Sequence, residues 1–359
     1  MHSTSRRVCR YAIGSAFACI GISQTAVAAD SVTLYGIVDT FLTHIHADGT
    51  GAANRMDSSG LYASRFGLKG HEDIGGGYGV NFVLENGFNA NDGSAADANR
   101  SFNRQAWVGV GGPWGELRFG RQNTPQWVMN GNFDAFTSAT QASGWNNMFG
   151  TPPRADNAAT YISPSIGGFK VQAMYARGAT GGSAIADQVA SNQNIHFGVE
   201  YARGPFYAGL NFEEIRNAIA RNKARRTAGA ISYSFTDALK AYLALAKQTV
   251  SDGSQDNYLY STSLLYTFSP AASLAVGYTF LQDRASGAGH GNASEVGALG
   301  RYSISKRTIL YGGYSYLSQQ GNQRSFFLGG AAVVEPGSHI VSTPGGNING
   351  AQVGIVHLF

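Results

Sequence analysis

The sequence predicts an all-β fold, a 16-stranded antiparallel transmembrane β-barrel. Three observations lead there. Apolar and polar side chains alternate with period two through most of the chain after residue 30, the connections between the resulting strands alternate between short and long, and the composition is rich in glycine and aromatics but poor in charge. Of 359 residues, 43% are hydrophobic and only 13% charged, with 48 glycines and 18 tyrosines. An ordinary soluble domain carries about 25% charged residues and about 7% glycine. No stretch after residue 30 approaches the roughly 18 consecutive apolar residues of a membrane-spanning helix, so strands must do the crossing.

The first 29 residues stand apart. Arg6, Arg7 and Arg10 make a basic start, residues 11–23 are mostly apolar, and Ala26, Val27, Ala28 and Ala29 supply small residues. This is the form of a secretory signal peptide, cleaved after Ala28 or Ala29. The apolar stretch is too continuous for a half-buried amphipathic helix, and Phe17 is too bulky for lipoprotein processing before Cys19. The barrel then occupies residues 30–359, with 23 basic against 22 acidic side chains. The pI of 9.0 belongs to the precursor, so a nucleic-acid partner loses its electrostatic support. Cys9 and Cys19 both leave with the leader, which excludes disulfides and thiolate-bound metals from the exported chain.

Along the rest of the chain the alternation is direct. One face of residues 258–268 reads Tyr258, Tyr260, Thr262, Leu264, Tyr266 and Phe268, and the other Leu259, Ser261, Ser263, Leu265 and Thr267. The same split sets Ile195, Phe197, Val199 and Tyr201 against His196, Gly198, Glu200 and Ala202, and Leu274, Val276, Tyr278 and Phe280 against Ala275, Gly277 and Thr279. These are strands with two different faces.

Short turn signals join strands at residues 73–77, 111–115, 163–168, 203–205, 236–237, 269–271 and 303–307. Longer polar stretches separate the pairs, among them 90–101, 179–193, 216–223, 250–256, 284–293 and 319–346. The count is one strand from Val32 to about His46, fourteen in seven short-turn pairs, and a last one over 350–359. A soluble β-sandwich has no reason to alternate its turn lengths. A transmembrane barrel has short periplasmic turns, long extracellular loops, lipid outside and water inside, and its closure leaves no backbone unpaired in hydrocarbon. An even strand number puts both ends of the barrel in the periplasm.

The last strand places Val353, Ile355, His357 and the final Phe359 on one face, which looks like an outer-membrane assembly signal. Further segments are specific: residues 31–39 (SVTLYGIVD), 64–70 (SRFGLKG) followed by Glu72-Asp73 and Gly75-Gly76-Gly77, 103–109 (NRQAWVG) and Gly120-Arg121-Gln122. In this order, and over essentially the whole mature chain, they resemble Gram-negative general diffusion porins of the β-proteobacterial type. The resemblance implies an inward-folded third loop that narrows a water-filled pore, passive diffusion of small hydrophilic solutes and ions, and a homotrimer in outer-membrane lipid and lipopolysaccharide, inserted by the barrel assembly machinery. Small outward positions such as Gly36 and Val38 suit a contact between protomers.

Residues 123–153 fit the third-loop role by length, and Trp127, Phe133, Phe136, Trp145, Met148 and Phe149 require something to pack against. Either the barrel interior or a neighbouring protomer would serve. With Phe66 and Leu68 toward lipid, Arg65 and Lys69 turn inward. Outward Tyr161 puts Arg154 and Asp156 inside, Arg118 faces inward between Leu117 and Phe119, and Lys69 and Arg118 are expected with the other inward charges at the pore constriction. Arg65, Arg104 and Arg154 stand eight, eight and ten residues before Asp73, Gly112 and Pro164 of their short turns; eight residues correspond to roughly 19 Å of height, near the middle of the wall. The resemblance places the family's basic constriction cluster at these same positions. Arg121 ends its strand, and parity leaves its direction open. Opposing charge is sparse: Asp134 is the single carboxylate of residues 123–153, and Glu85 faces the lumen from its own strand. Such a throat favours anions, unless the arginines serve to brace the loop.

Catalytic signals are weak. Residues 109–115 (GVGGPWG) fail the dinucleotide spacing and read as a turn. His44 and His46 share a strand face but have no third ligand beyond Asp48, so no metal, cofactor or enzymatic activity is expected. Besides the general pore, a substrate-specific outer-membrane channel and a structural or adhesive barrel fit the same fold.

Overall fold

In a computed structural model of the protein, residues 31–136, 140–178, 192–217, 221–287, 289–323, 326–329 and 340–359 are described. The expected signal peptide and parts of the longer polar stretches lie outside them. Seventeen strand segments among the described residues form one antiparallel sheet. The first group is β1 (Ser31–Ala47), β2 (Gly51–Ser58), β3 (Arg65–Gly75), β4 (Tyr78–Gly87), β5 (Gln105–Gly112) and β6 (Gly115–Asn123). Then follow β7 (Arg154–Ile162), β8 (Phe169–Arg177), β9 (Gln193–Arg203), β10 (Phe206–Arg216), β11 (Lys223–Ser234) and β12 (Leu239–Val250). The last group is β13 (Asp256–Ser269), β14 (Ala272–Asp283), β15 (Ala293–Ser303), β16 (Thr308–Gln319) and β17 (Asn347–Leu358). All seven predicted short turns fall between the expected strand pairs.

Seventeen segments make a 16-stranded wall because β2 and β3 lie end to end along β1. Residues 40–47 of β1 pair with β2 and residues 31–37 with β3. The interruption is built around Asp39. Its fully buried carboxylate accepts hydrogen bonds from the backbone N–H groups of Leu61 and Tyr62 at 2.7 and 2.6 Å and from the Tyr311 hydroxyl. A buried carboxylate is costly unless its lone pairs are satisfied, and here they hold residues 59–64 inside the barrel, immediately before Arg65.

The cylinder closes where β1 pairs antiparallel with β17, from Ile37↔Leu358 to Ala47↔Ile348. Phe359 finishes the seam: it exchanges two backbone hydrogen bonds with Gly36, at 3.0 and 3.1 Å. Its ring occupies the space a side chain at position 36 would take. This corrects the reading of Gly36 as a flat spot left for a neighbouring protomer. The chain's own terminal aromatic covers it, while Val38 stays exposed on the outer face.

Exposed apolar side chains follow the outward parity around the wall, among them Leu34, Phe66, Val108, Phe119, Leu210, Leu243 and Tyr314. Near the short-turn ends they become aromatic, with Phe169 packed at a tilt on Tyr201 and Tyr233 edge-on to Phe235, as membrane–water interfaces require. Peptide tags inserted within residues 251–255 should therefore be reached by antibody on intact cells, and tags at residues 270–271 only after permeabilisation. The reverse pattern would defeat this topology.

Candidate functional site

The third long loop, residues 124–153, enters the barrel. Thr124 starts α1 (Pro125–Asn130), its Oγ1 accepting from the Trp127 N–H at 3.2 Å. The same hydroxyl donates to the Pro152 carbonyl at 2.9 Å and so ties the two ends of the loop together. Ser143 caps α2 (Gly144–Met148) through the Asn146 N–H at 3.1 Å. The first helix rests against β8 to β10 and the second against β13 to β15, so the loop crosses the lumen.

Because the lumen is aqueous, the loop's apolar residues gain by leaving it. Met129, Phe133, Trp145, Met148 and Phe149 form one buried cluster with the lumen-facing Ala228, Ala230, Ala244 and Ala246. Each large side chain so buried is worth about 1.5–3 kcal/mol. The wall is shaved to receive them: a Cβ on Gly198 would lie 2.6 Å from Met129 Sδ, and one on Gly277 2.7 Å from the Phe136 ring. Gly297 has no room at all, since a Cβ there would collide with the Ala142 carbonyl.

Polar contacts fix the loop's register on that wall. The Ala135 N–H donates to Ser263 Oγ at 2.9 Å, and Gln352 donates to Thr140 Oγ1 at 2.7 Å. The Asn147 amide donates to both oxygens of Glu295 at 3.0 Å. Arg301 donates to the carbonyls of Ala135 and Phe136. Glu295 and Arg301 were not singled out from sequence, although the alternation of Val296, Ala298 and Tyr302 with them marks both as inward.

Opposite the packed side, Arg65, Arg104 and Arg154 converge on one cavity of about 370 Å³, whose other wall is formed by loop residues including Trp127, Asp134, Ser143 and Phe149. The cavity thus brings together the three arginines that counting residues to the turns sets at similar heights. Glu85 stands between two of them. It accepts from Arg104 Nε at 2.7 Å, lies 3.6 Å from Arg65 Nε, and accepts from the Tyr35 hydroxyl at 2.9 Å. Arg154 is buried, and no carboxylate pairs with it among the described residues. Asp134 lines the cavity with its carboxylate engaged by the Phe136 N–H and the Ser143 hydroxyl. Three guanidiniums thus face two carboxylates, and the balance is positive.

Two residues placed in the throat from sequence lie elsewhere. Lys69 and Arg118 do face the lumen, but they line a second cavity of about 400 Å³ with His71, Asn81 and Glu116. Lys69 is four residues nearer the periplasmic turn than Arg65 on the same strand, which lowers it out of the constriction. Arg118 is paired to Glu116 at 2.5 Å and stacked 4.2 Å from the Trp107 ring.

The route to Arg154 also differs from simple parity. Gly120 pairs with Ala158 but Gln122 with Ala155, so two residues of β7 oppose Arg121 alone. This bulge, with Asn157 at φ +49°, breaks the alternation between Tyr161 and Arg154. Asp156 turns to Arg121 and Arg100, which gives Arg121 the direction that parity left open. Arg104 shares the parity of outward Val108 and Val110 but precedes the first residue of β5, where the backbone turns it inward onto Glu85.

The family model described as Gram-negative porin matches residues 14–322. The chain belongs to the Gram-negative porin family. It is 28% identical to outer membrane porin protein 32 of Delftia acidovorans over 96% of this chain and 98% of that one. An outer membrane porin protein of Bordetella pertussis is 33% identical over 64% of this chain and 67% of its own. Among solved structures, the anion-selective porin from Comamonas acidovorans superposes with a TM-score of 0.74 at 27% identity, covering 92% of this chain and all of that one. The protein is an outer-membrane porin, a multi-pass barrel that forms a channel, and its relatives are channels rather than enzymes.

The loop contact at Gly297 can be tested on the porin directly. Gly297→Val should push residues 140–143 off the wall, at a cost of about 1–3 kcal/mol for overpacking, and raise single-channel conductance in planar bilayers while the barrel still resists detergent unfolding. An unchanged conductance would mean that this contact does not set the loop's position.

Proposed function

We propose that the porin is a general diffusion channel for small hydrophilic solutes with a preference for anions, and that Arg65, Arg104 and Arg154 set that preference. The observation that carries this is their convergence on one cavity facing the inward loop, with Glu85 shared between two of them. Fixed charges in a throat with low-dielectric walls act over short distances with little screening. A unit charge 4 Å from a permeant ion contributes about 1–4 kcal/mol for effective dielectric constants of 80 to 20. The name of the Comamonas neighbour, an anion-selective porin, supports the same sign.

We assign the working form as a homotrimer, exported on a signal peptide cleaved after Ala28 or Ala29 and inserted by the barrel assembly machinery through its terminal Phe359. The exposed aliphatic face of Leu34, Val38, Leu42, Leu68 and Val108 supports a protomer contact on β1 to β5. We assign transport without catalysis, cofactor or metal.

In a KCl gradient across a bilayer the wild-type zero-current potential should have the sign of anion preference. Changing Arg65, Arg104 and Arg154 together to Gln should move it toward cations. Glu85→Gln should move it further toward anions, because one acid is lost and two guanidiniums remain. A triple variant with the wild-type potential would show that the arginines brace the loop without selecting ions.

A further inference from the structure

One side chain of the first strand reaches the acid of the throat across a neighbouring strand. Tyr35, Gly67 and Glu85 stand opposite one another on β1, β3 and β4, so all three share the lumen face. Strands lie about 4.8 Å apart, and a tyrosine can span the middle one only if that position carries no side chain. Gly67 meets the condition: a Cβ there would lie 2.9 Å from the Tyr35 hydroxyl oxygen and 3.0 Å from its Cζ. The ring therefore crosses Gly67, and its hydroxyl donates to Glu85 Oε2 at 2.9 Å. Lys69, nearer the periplasm, places its Nζ 5.6 Å from the centre of the same ring.

That bond bears on how Glu85 is divided between two guanidiniums. Its Oε1 accepts from Arg104 Nε at 2.7 Å, whereas Arg65 Nε stays 3.6 Å from Oε2, too long for a hydrogen bond. Arg65 instead donates from Nη1 to the Ala63 carbonyl at 3.4 Å. Its side chain keeps 24% of its surface exposed, against 11% for Arg104. Hydrogen bonds between a guanidinium and a carboxylate are short and strong, so an Arg65 able to take Oε2 would close on it and show less of its charge to a passing ion.

We propose that Tyr35 is a positioning residue for ion selectivity. Its hydroxyl occupies Glu85 Oε2 and keeps Arg65 from closing to hydrogen-bond distance, so this guanidinium stays turned toward the permeating anion. Tyr35 acts through Glu85 and need not touch the ion itself. The proposal rests on the reading that Arg65, Arg104 and Arg154 set the anion preference, and it names the residue that governs how much of Arg65's charge the channel displays.

Zero-current potentials in a KCl gradient for wild type, Tyr35→Phe, Glu85→Gln and the double variant test it. Tyr35→Phe keeps the ring over Gly67 and against Lys69 and removes only the hydroxyl. Its anion-to-cation permeability ratio should fall by about threefold, less than for the loss of a whole charge, because Arg65 becomes paired but is not removed. In the Glu85→Gln background the same change should leave the ratio where Glu85→Gln alone puts it, since no carboxylate remains for Arg65 to close on. An equal fall in both backgrounds would overturn the proposal, because the hydroxyl would then act without Glu85. So would a wild-type potential for Tyr35→Phe beside a shifted one for the triple arginine variant, a result that leaves the arginines their role. If neither Tyr35→Phe nor the triple variant moves the potential, the arginines do not select ions and the role of Tyr35 falls with theirs.

Discussion

The apolar side of residues 124–153 is buried against one half of the lumen wall, and the shape and electrostatics of the channel follow from that contact. A barrel of this size needs no interior packing to stand, because its backbone hydrogen bonds close on themselves. A loop carrying Met129, Phe133, Trp145, Met148 and Phe149 cannot hang in water, however, and the alanines and glycines of β9 to β15 give it a surface to lie on. Small residues on the inner face of those strands thus have a positive role: they accommodate a second layer.

Placing the loop on one side leaves open water on the other, and that is where the arginines stand. The constriction is lined unevenly, with loop backbone and side chains on one wall and Arg65, Arg104 and Arg154 on the opposite one. Glu85 relieves the repulsion between two neighbouring guanidiniums without cancelling their charge, and Asp134 is engaged within the loop itself. Bracing and the proposed selection fall to different residues: Arg301 and Glu295 hold the loop, and the three arginines line the cavity across from it. Below the throat, Lys69 and the Arg118–Glu116 pair form a second charged level toward the periplasm.

Most of the barrel was legible in the sequence because a wall with lipid outside and water inside imposes period two, and because turn length reports which side of the membrane a connection is on. The grouping of Arg65, Arg104 and Arg154 on one cavity was legible for a related reason: residues at similar distances from their turns come to similar heights. Parity failed where the sheet is irregular. The bulge opposite Arg121 resets the alternation before Arg154, and Arg104 lies just outside the ladder, so their directions depend on tertiary contacts that no local pattern encodes. The split between β2 and β3 was hidden because it depends on Asp39 and Tyr311, partners 272 residues apart. The wall positions that receive the loop read only as small residues on a polar face. Their meaning appears once Met129, Phe136 and Ala142 are seen against Gly198, Gly277 and Gly297.

The central claim, that the loop lies on the wall and leaves the arginine side open, can be measured with a single pair of thiols, since the two cysteines of the sequence, Cys9 and Cys19, both precede the first strand. Ala135 and Ser263 are joined by a backbone-to-side-chain hydrogen bond of 2.9 Å, so Ala135→Cys with Ser263→Cys puts one thiol on the loop and one on the wall at this contact. Oxidation of this variant should form an intramolecular disulfide, seen as a mobility shift that reductant reverses, while single-channel conductance stays the same before and after oxidation. A pair that does not oxidise, or a conductance that falls when the bond forms, would mean that the loop rests somewhere else in the working channel.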